Sequence, residues 1–285
     1  MTTTPTENQT GDRSEHPAVA VAMSLPRRRN LPGGRVLSTG QSLYWWAEVL
    51  FVGIFYFVYS AIRNANGNDT GAARRHALDI MRWQETLGIN HEQALQHWAV
   101  QFKALIIACN YFYGSLHFVV TTGVLVFIYR KFSDDYPLWR NTIAIATALA
   151  LIGFTFYPLL PPRLLPHHFG FVDTLDQYPT FWSFKQGAVN KISNQFAAMP
   201  SVHCAWALWC ACALVPRLRR TWAKLLAAVY PVCTVTAIVL TGNHYFLDAA
   251  GGFLALGTGY VLARCFTRAG RTPAENPERS ATITT

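Results

Sequence analysis

Six apolar runs, at about 43–62, 106–129, 138–160, 202–215, 222–241 and 245–264, alternate with more polar connections, two of them about 40 residues long. A helix that crosses a bilayer needs ~20 mostly apolar residues, so the pattern predicts an all-α polytopic membrane protein, a six-transmembrane-helix bundle. The fourth run is short, and Pro231 inside the fifth predicts a kink. Between the first two runs, Leu78, Met81, Trp83, Leu87, Ala94, Leu95 and Trp98 recur at helical spacing among polar residues. That spacing predicts amphipathic helices lying along the membrane surface. Residues 1–40 are rich in Thr, Pro, Arg and Gly and show no period, which predicts a disordered cytoplasmic tail. A cleavable signal does not fit, because the first apolar run begins only near Leu43. The reading is a membrane-embedded catalytic domain over 41–266 and a second disordered cytoplasmic tail over 267–285.

Composition agrees with this class. The chain is 51% apolar and 14% charged, against about 25% charged in soluble domains. The formal charge of +9 raises the question of nucleic acid. The basic residues sit beside apolar runs and form no continuous patch, so membrane topology accounts for them and no nucleic-acid partner is expected. With the N-terminus inside, 16 Lys and Arg fall on inner segments and 8 on outer ones, five of the eight within 63–104. This split places both termini in the cytoplasm of a plasma membrane protein, with the loops before the fourth and sixth runs outside. The six cysteines, Cys109, Cys204, Cys210, Cys212, Cys233 and Cys265, contain no Cys-x-x-Cys pair. They read as small packing residues.

Those outer loops carry the chemistry. Met199-Pro200-Ser201-Val202-His203 opens the fourth run and Gly242-Asn243-His244-Tyr245-Phe246-Leu247-Asp248 opens the sixth. Ser201 is a favoured N-cap, and the N-terminus of a helix offers N–H groups and a positive dipole end to a phosphate. His244 and Asp248 are four residues apart, on one helical face. A carboxylate holding an imidazole fixes its tautomer and raises its basicity, which makes the other nitrogen a nucleophile. Two histidines and an acid are also a partial zinc or iron set, to which His167 and His168 could add. Tyr157-Pro158-Leu159-Leu160-Pro161-Pro162-Arg163 ends the third run. Arg163 could clamp phosphate oxygens or contact lipid headgroups. Tyr113 and His117 in the second run could face the site but read first as interhelical hydrogen-bonding residues, as does Glu48 in the first run. Gly251, Ala255 and Gly259 form a small-residue stripe that predicts close helix packing.

Taken together, the segments Tyr157–Arg163, Ala197–His203 and Thr241–Asp248 resemble the type 2 phosphatidic acid phosphatase superfamily, and within it the inositol phosphorylceramide synthase (aureobasidin-resistance) branch. The likeness spans roughly 45–265. It implies His203 as general acid, His244 as the nucleophile that forms a phosphohistidine and Asp248 as its orienter. Arg163, Ser201, Asn243, Tyr245, Lys185 and Lys191 are the substrate- and phosphate-binding candidates. The chain departs from the phosphatase pattern at Phe156, where a Lys is usual, at Ala237 and Ile238, where Ser-Arg is usual, and at Val202, usually Gly. Two phosphate-binding cations are therefore missing, and Lys185 and Lys191 are nearby substitutes. The resemblance implies no metal and no organic cofactor. It implies transfer of a phosphate-containing headgroup, such as inositol phosphate, from a phospholipid or polyprenyl phosphate to a hydroxyl acceptor. The alternatives are a lipid-phosphate phosphatase that uses water, and a scaffold or channel in which the His/Asp set is polar glue.

Overall fold

The computed structural model describes residues 34–38, 40–65, 69–178, 180 and 196–269. Lys185 and Lys191, and the tails to either side, lie outside these residues. The described chain is almost wholly helical. Its one sheet is a hairpin of β1 (Gly34–Val36) and β2 (Ser42–Tyr44). The hairpin falls within the segment expected to be disordered through residue 40. Long-range polar contacts hold the hairpin: Arg35 donates to the Arg130 carbonyl at 2.7 Å and Asp134 accepts from the Ser38 amide at 2.7 Å.

Helix α1 (Trp45–Ala65) is followed by α2 (Thr70–Thr86) and α3 (Glu92–Ala99). Then come α4 (Lys103–Tyr111), a π-helical turn (Phe112–Leu116) and α5 (His117–Lys131), which run as one rod, and α6 (Tyr136–Phe156). A one-turn helix α7 (Thr174–Gln177) precedes α8 (Val202–Leu214), α9 (Thr221–Leu240) and α10 (Phe246–Ala269). Five of these are long and apolar enough to cross a bilayer: α1, the α4–α5 rod, α6, α9 and α10. The protein is an integral membrane protein with a helical fold. The short fourth run is α8, apolar but only 13 residues long, or ~20 Å at 1.5 Å per residue.

The boundaries follow local chemistry. Helix α6 stops at Phe156, short of the expected 160, because Pro158 disfavours helical backbone at Tyr157. Helix α9 continues through Pro231 without interruption. Helix α10 runs past the predicted end of its span to Ala269. The core gathers Trp139, Ile143, Trp209 and Leu256 from α6, α8 and α10, and the Trp209 indole donates to the Trp139 carbonyl at 2.9 Å. Helices α6 and α10 share the largest helix–helix contact. The small-residue stripe permits it: a Cβ at Gly259 would lie 2.9 Å from the Thr142 carbonyl oxygen. One residue off the stripe, a Cβ at Gly252 would lie 2.3 Å from the Ser201 carbonyl oxygen.

Helix α1 packs loosely, and its apolar residues face outward. The Glu48 carboxylate ties it to α6 by pairing with Arg140 at 2.6 Å, the interhelical role expected of an acid in a span. Cys109, Cys204 and Cys210 are buried, while Cys212, Cys233 and Cys265 face outward.

The 63–104 segment forms helices as predicted, with large apolar side chains outward and a buried face rich in polar groups. Trp83 (52%) and Trp98 (53%) are exposed, with Leu87 and Leu95, whereas Gln84, Glu92 and Gln96 are completely buried. Ala73, Ala77 and Ile80 complete the buried face. The reason is a demand for hydrogen bonds beneath the helices. The first N–H groups of α10 have no intrahelical partner, and Glu92 accepts from the Phe246 amide at 2.9 Å and Gln84 from the Leu247 amide at 3.0 Å.

Candidate active site

The loop entering α10 turns sharply at Gly242, whose φ is +67°. A Cβ there would meet the Gln96 amide nitrogen at 2.6 Å. The Gly242 carbonyl accepts the Arg163 amide at 2.8 Å, so the Pro-rich exit from α6 is stitched to the loop that delivers His244. On the other side, the Ser201 amide donates to the Asp248 carbonyl at 2.9 Å. The Ser201 hydroxyl caps α8 by accepting from the Cys204 amide at 3.4 Å. Three chain-distant segments are thereby locked to one another by backbone bonds.

His203 and His244 meet with ring centroids 5.7 Å apart. His244 Nδ1 donates to Asp248 Oδ2 at 3.1 Å, and the Tyr245 amide donates to the same oxygen at 2.9 Å. A carboxylate only accepts, so the hydrogen sits on Nδ1 and the lone pair on Nε2. Both partners are buried, which makes the pair rigid. Two neighbouring imidazoles, one of them anchored by a carboxylate, are groups suited to attack phosphorus and to protonate a leaving oxygen. Among the described residues no three His, Cys, Asp or Glu side chains form a set that could hold a metal ion. His167 and His168 lie in a 3₁₀ turn after Pro166, and His168 packs on Phe169.

The remaining candidates divide. Arg163 is half-committed: its Nε donates to Asn243 Oδ1 at 2.9 Å and its Nη1 to Asp173 Oδ2 at 3.0 Å. Asn243 also donates to the Thr241 hydroxyl at 2.7 Å, so it acts as a bracket between the arginine and the loop. Tyr245, expected to line the phosphate site, is instead fully buried with its hydroxyl on the Leu160 carbonyl at 3.1 Å. Its position next to His244 does not carry its ring into the site, because the chain is turning into α10. Burial and the nearby Asp248 and Glu92 carboxylates push that phenol well above its ordinary range.

Several residues were not singled out from sequence. Asp173 neutralises Arg163 and caps α7 through the Asp176 amide at 3.2 Å. Gln96 grips Val172 twice, at 2.9 Å through both its amide nitrogen and its oxygen, which fixes the loop before Asp173. Asn110 and Thr174 tie that loop to α4 and to the Thr241 carbonyl. Glu92 is a buried carboxyl behind the site, and desolvation pushes it above the ordinary carboxylate range, with Asp248 adding to the rise. Gln96 and Glu92 lie four residues apart, and an i, i+4 polar pair on an otherwise amphipathic helix is the signal that could have found them. Of the two readings of Tyr113 and His117, interhelical hydrogen-bonders or residues facing the site, the structure favours the second, and His117 bonds the Tyr113 carbonyl on its own rod at 2.9 Å. Both rings lie against His203.

No curated protein and no solved structure matches the chain. The sequence profile of the PAP2 superfamily matches residues 78–262, nearly two thirds of the chain, and that stretch contains every described residue of the site. It runs from the middle of α2 to near the end of α10. The likeness read from three short segments therefore extends over the helices that hold them together, and the chain is an integral membrane protein of the PAP2 superfamily, a superfamily of lipid phosphatases and phosphotransferases.

Proposed function

We propose that the protein transfers a phosphate-containing headgroup from a membrane lipid to a hydroxyl acceptor through a phosphohistidine on His244. The observation that carries this reading is the pair of facing imidazoles, one of them anchored by Asp248. His244 Nε2 attacks phosphorus in line, the bond to the leaving oxygen breaks, and that oxygen takes a proton from His203. The acceptor oxygen then attacks the phosphohistidine, the P–N bond breaks, and the acceptor proton returns to His203. Positioning and charge stabilisation supply most of the rate in such reactions.

Two features favour a diester donor and a hydroxyl acceptor, as in the inositol phosphorylceramide synthase branch. Phe156 and Ile238 stand where phosphatases of this pattern carry cations, and Arg163 spends part of its charge on Asp173. A dianionic monoester needs several cations around one phosphate, whereas a diester carries a single charge. The depth of the site is also suited to a lipid. Helix α8 spans ~20 Å of a hydrocarbon core ~30 Å thick, so a site at its first turn lies below the headgroup plane, within reach of a lipid phosphate.

The test incubates purified protein with phosphatidylinositol and with phosphatidic acid, each with and without lipid or sugar alcohols. Headgroup transfer without free inorganic phosphate supports the reading. Rapid phosphate release from phosphatidic acid, indifferent to any acceptor, makes the protein a phosphatase.

A further inference from the structure

His117 is an ionisable residue inside an apolar span, and the chemistry above does not use it. Such residues are costly at membrane depth and mark function. It follows directly on the π-helical turn Phe112–Leu116, and π-turns re-aim side chains at functional sites. Two rings are delivered to one place. Tyr113 stacks on the His203 imidazole with centroids 4.4 Å apart and planes at 27°, and His117 meets the same imidazole edge to face at 4.2 Å and 61°. His117 is 6% exposed. Its Nδ1 bonds the Tyr113 carbonyl at 2.9 Å. A carbonyl only accepts, so Nδ1 carries the hydrogen, and Nε2 of the neutral ring is an acceptor.

We propose that His117 is the positioning residue of His203, restraining that imidazole by ring contact with a neutral polar partner, where Asp248 restrains His244 by a hydrogen bond to a carboxylate. The proposal rests on the reading of His203 and His244 given above. The two histidines need opposite help. A nucleophile gains from a carboxylate, which raises its basicity. A general acid must give up its proton to the leaving oxygen, and a carboxylate partner would hold the imidazolium too tightly. A neutral imidazole orients the ring and leaves it acidic, while Tyr113 restrains the flat face. The proton balance of both steps is unchanged: His117 keeps its own hydrogen, and His203 gives one proton and regains one.

The test reads the alkaline limb of kcat, where activity falls as His203 loses its proton. The titratable groups about His203 are Tyr113 and His117 on the α4–α5 rod, His244 and Asp248 on the α10 side and Cys204 on its own helix. Helix α6 over 143–156 carries no ionisable side chain, and α9 over 231–240 carries only Cys233. His117→Glu places a negative charge beside His203 and moves the limb up by about one pH unit, with a lower kcat. His117→Gln keeps a neutral polar side chain beside His203 and keeps the wild-type limb and most of kcat. His117→Phe lowers kcat about 10- to 100-fold, part of what acid–base assistance contributes, with KM little changed. A His117→Glu limb identical to wild type overturns the proposal, as does wild-type kcat in a folded His117→Phe. Wild-type enzyme that forms no phosphohistidine overturns the underlying reading instead; wild-type enzyme that forms it, with indifferent His117 variants, overturns this inference alone.

Discussion

At the scale of single residues, the proposed roles separate groups that meet the substrate from groups that hold them. Removing the proposed nucleophile should be absolute: His244→Ala is expected to abolish turnover and the acid-labile phosphoenzyme trapped from radiolabelled donor. His203→Ala should slow turnover by ~10²–10⁴-fold, the usual worth of acid–base assistance. Asp248→Asn should cost less than losing His244, because the amide can still occupy the orienting position. Near-wild-type turnover in His244→Ala would reject the assignment. Glu92 gives a test of a different kind. Its carboxyl is held above the ordinary range by burial, so the folded state binds the proton more tightly than the unfolded chain does. Its contribution to stability is fully present below the ordinary glutamate range and is lost as pH rises through the raised value. Glu92→Gln keeps an oxygen for the Phe246 amide and removes the titration. Its melting midpoint should therefore gain on wild type as pH rises from about 5 to about 8. Glu92→Ala loses the cap at every pH, at a cost of ~0.5–2 kcal/mol. A constant gap between Glu92→Gln and wild type across that range would show that the carboxyl does not titrate there.

At the scale of elements, α8 and α10 are registered by contact with no slack. The Ser201 carbonyl sits where a side chain on residue 252 would have to go, and the Ser201 amide bonds the Asp248 carbonyl one turn earlier. Gly252→Ala is expected to destabilise by ~1–3 kcal/mol, the usual cost of overpacking, and to lower kcat by shifting His203 away from His244. Wild-type turnover and an unchanged melting midpoint would show that the two helices have room to separate. The spans were legible because lipid demands long apolar runs, and the motifs were legible because polar residues are rare at membrane depth. What stayed hidden was pairing. Apolar spacing in 63–104 showed that α2 and α3 exist, but not what their polar faces would pair with. The requirement that buries Gln84 and Glu92 is set by the open N–H groups of Phe246 and Leu247, more than 150 residues away in sequence. Asp173 was hidden for the same reason: only the fold brings its carboxylate to Arg163. Tyr245 misled because neighbourhood in sequence was taken for neighbourhood in space.

At the scale of the whole molecule, the site and a cluster of arginines lie at opposite ends of α8. Helix α8 begins at the site with His203 and ends just before Arg217. Arg217 pairs with Asp135 at 2.6 Å and lies over the Trp139 and Phe132 rings. Arg35, bonded to the Arg130 carbonyl and the Ser133 hydroxyl, joins it on the loop between α5 and α6. The positive-inside rule leads us to propose that this basic collar faces the cytoplasm and the site the extracytoplasmic side. A site on that side would draw its donor and acceptor from the outer leaflet or from outside the cell. Single cysteines separate the two orientations. His168 and Arg219 are both exposed, one on the site side and one beside the collar. In a background with the six native cysteines replaced by Ser or Ala, a membrane-impermeant thiol reagent applied to intact cells should label His168→Cys and leave Arg219→Cys untouched. Permeabilisation should make Arg219→Cys reactive. Labelling of Arg219→Cys alone in intact cells would invert the protein in its membrane and turn the site, with its lipid substrates, toward the cytoplasm.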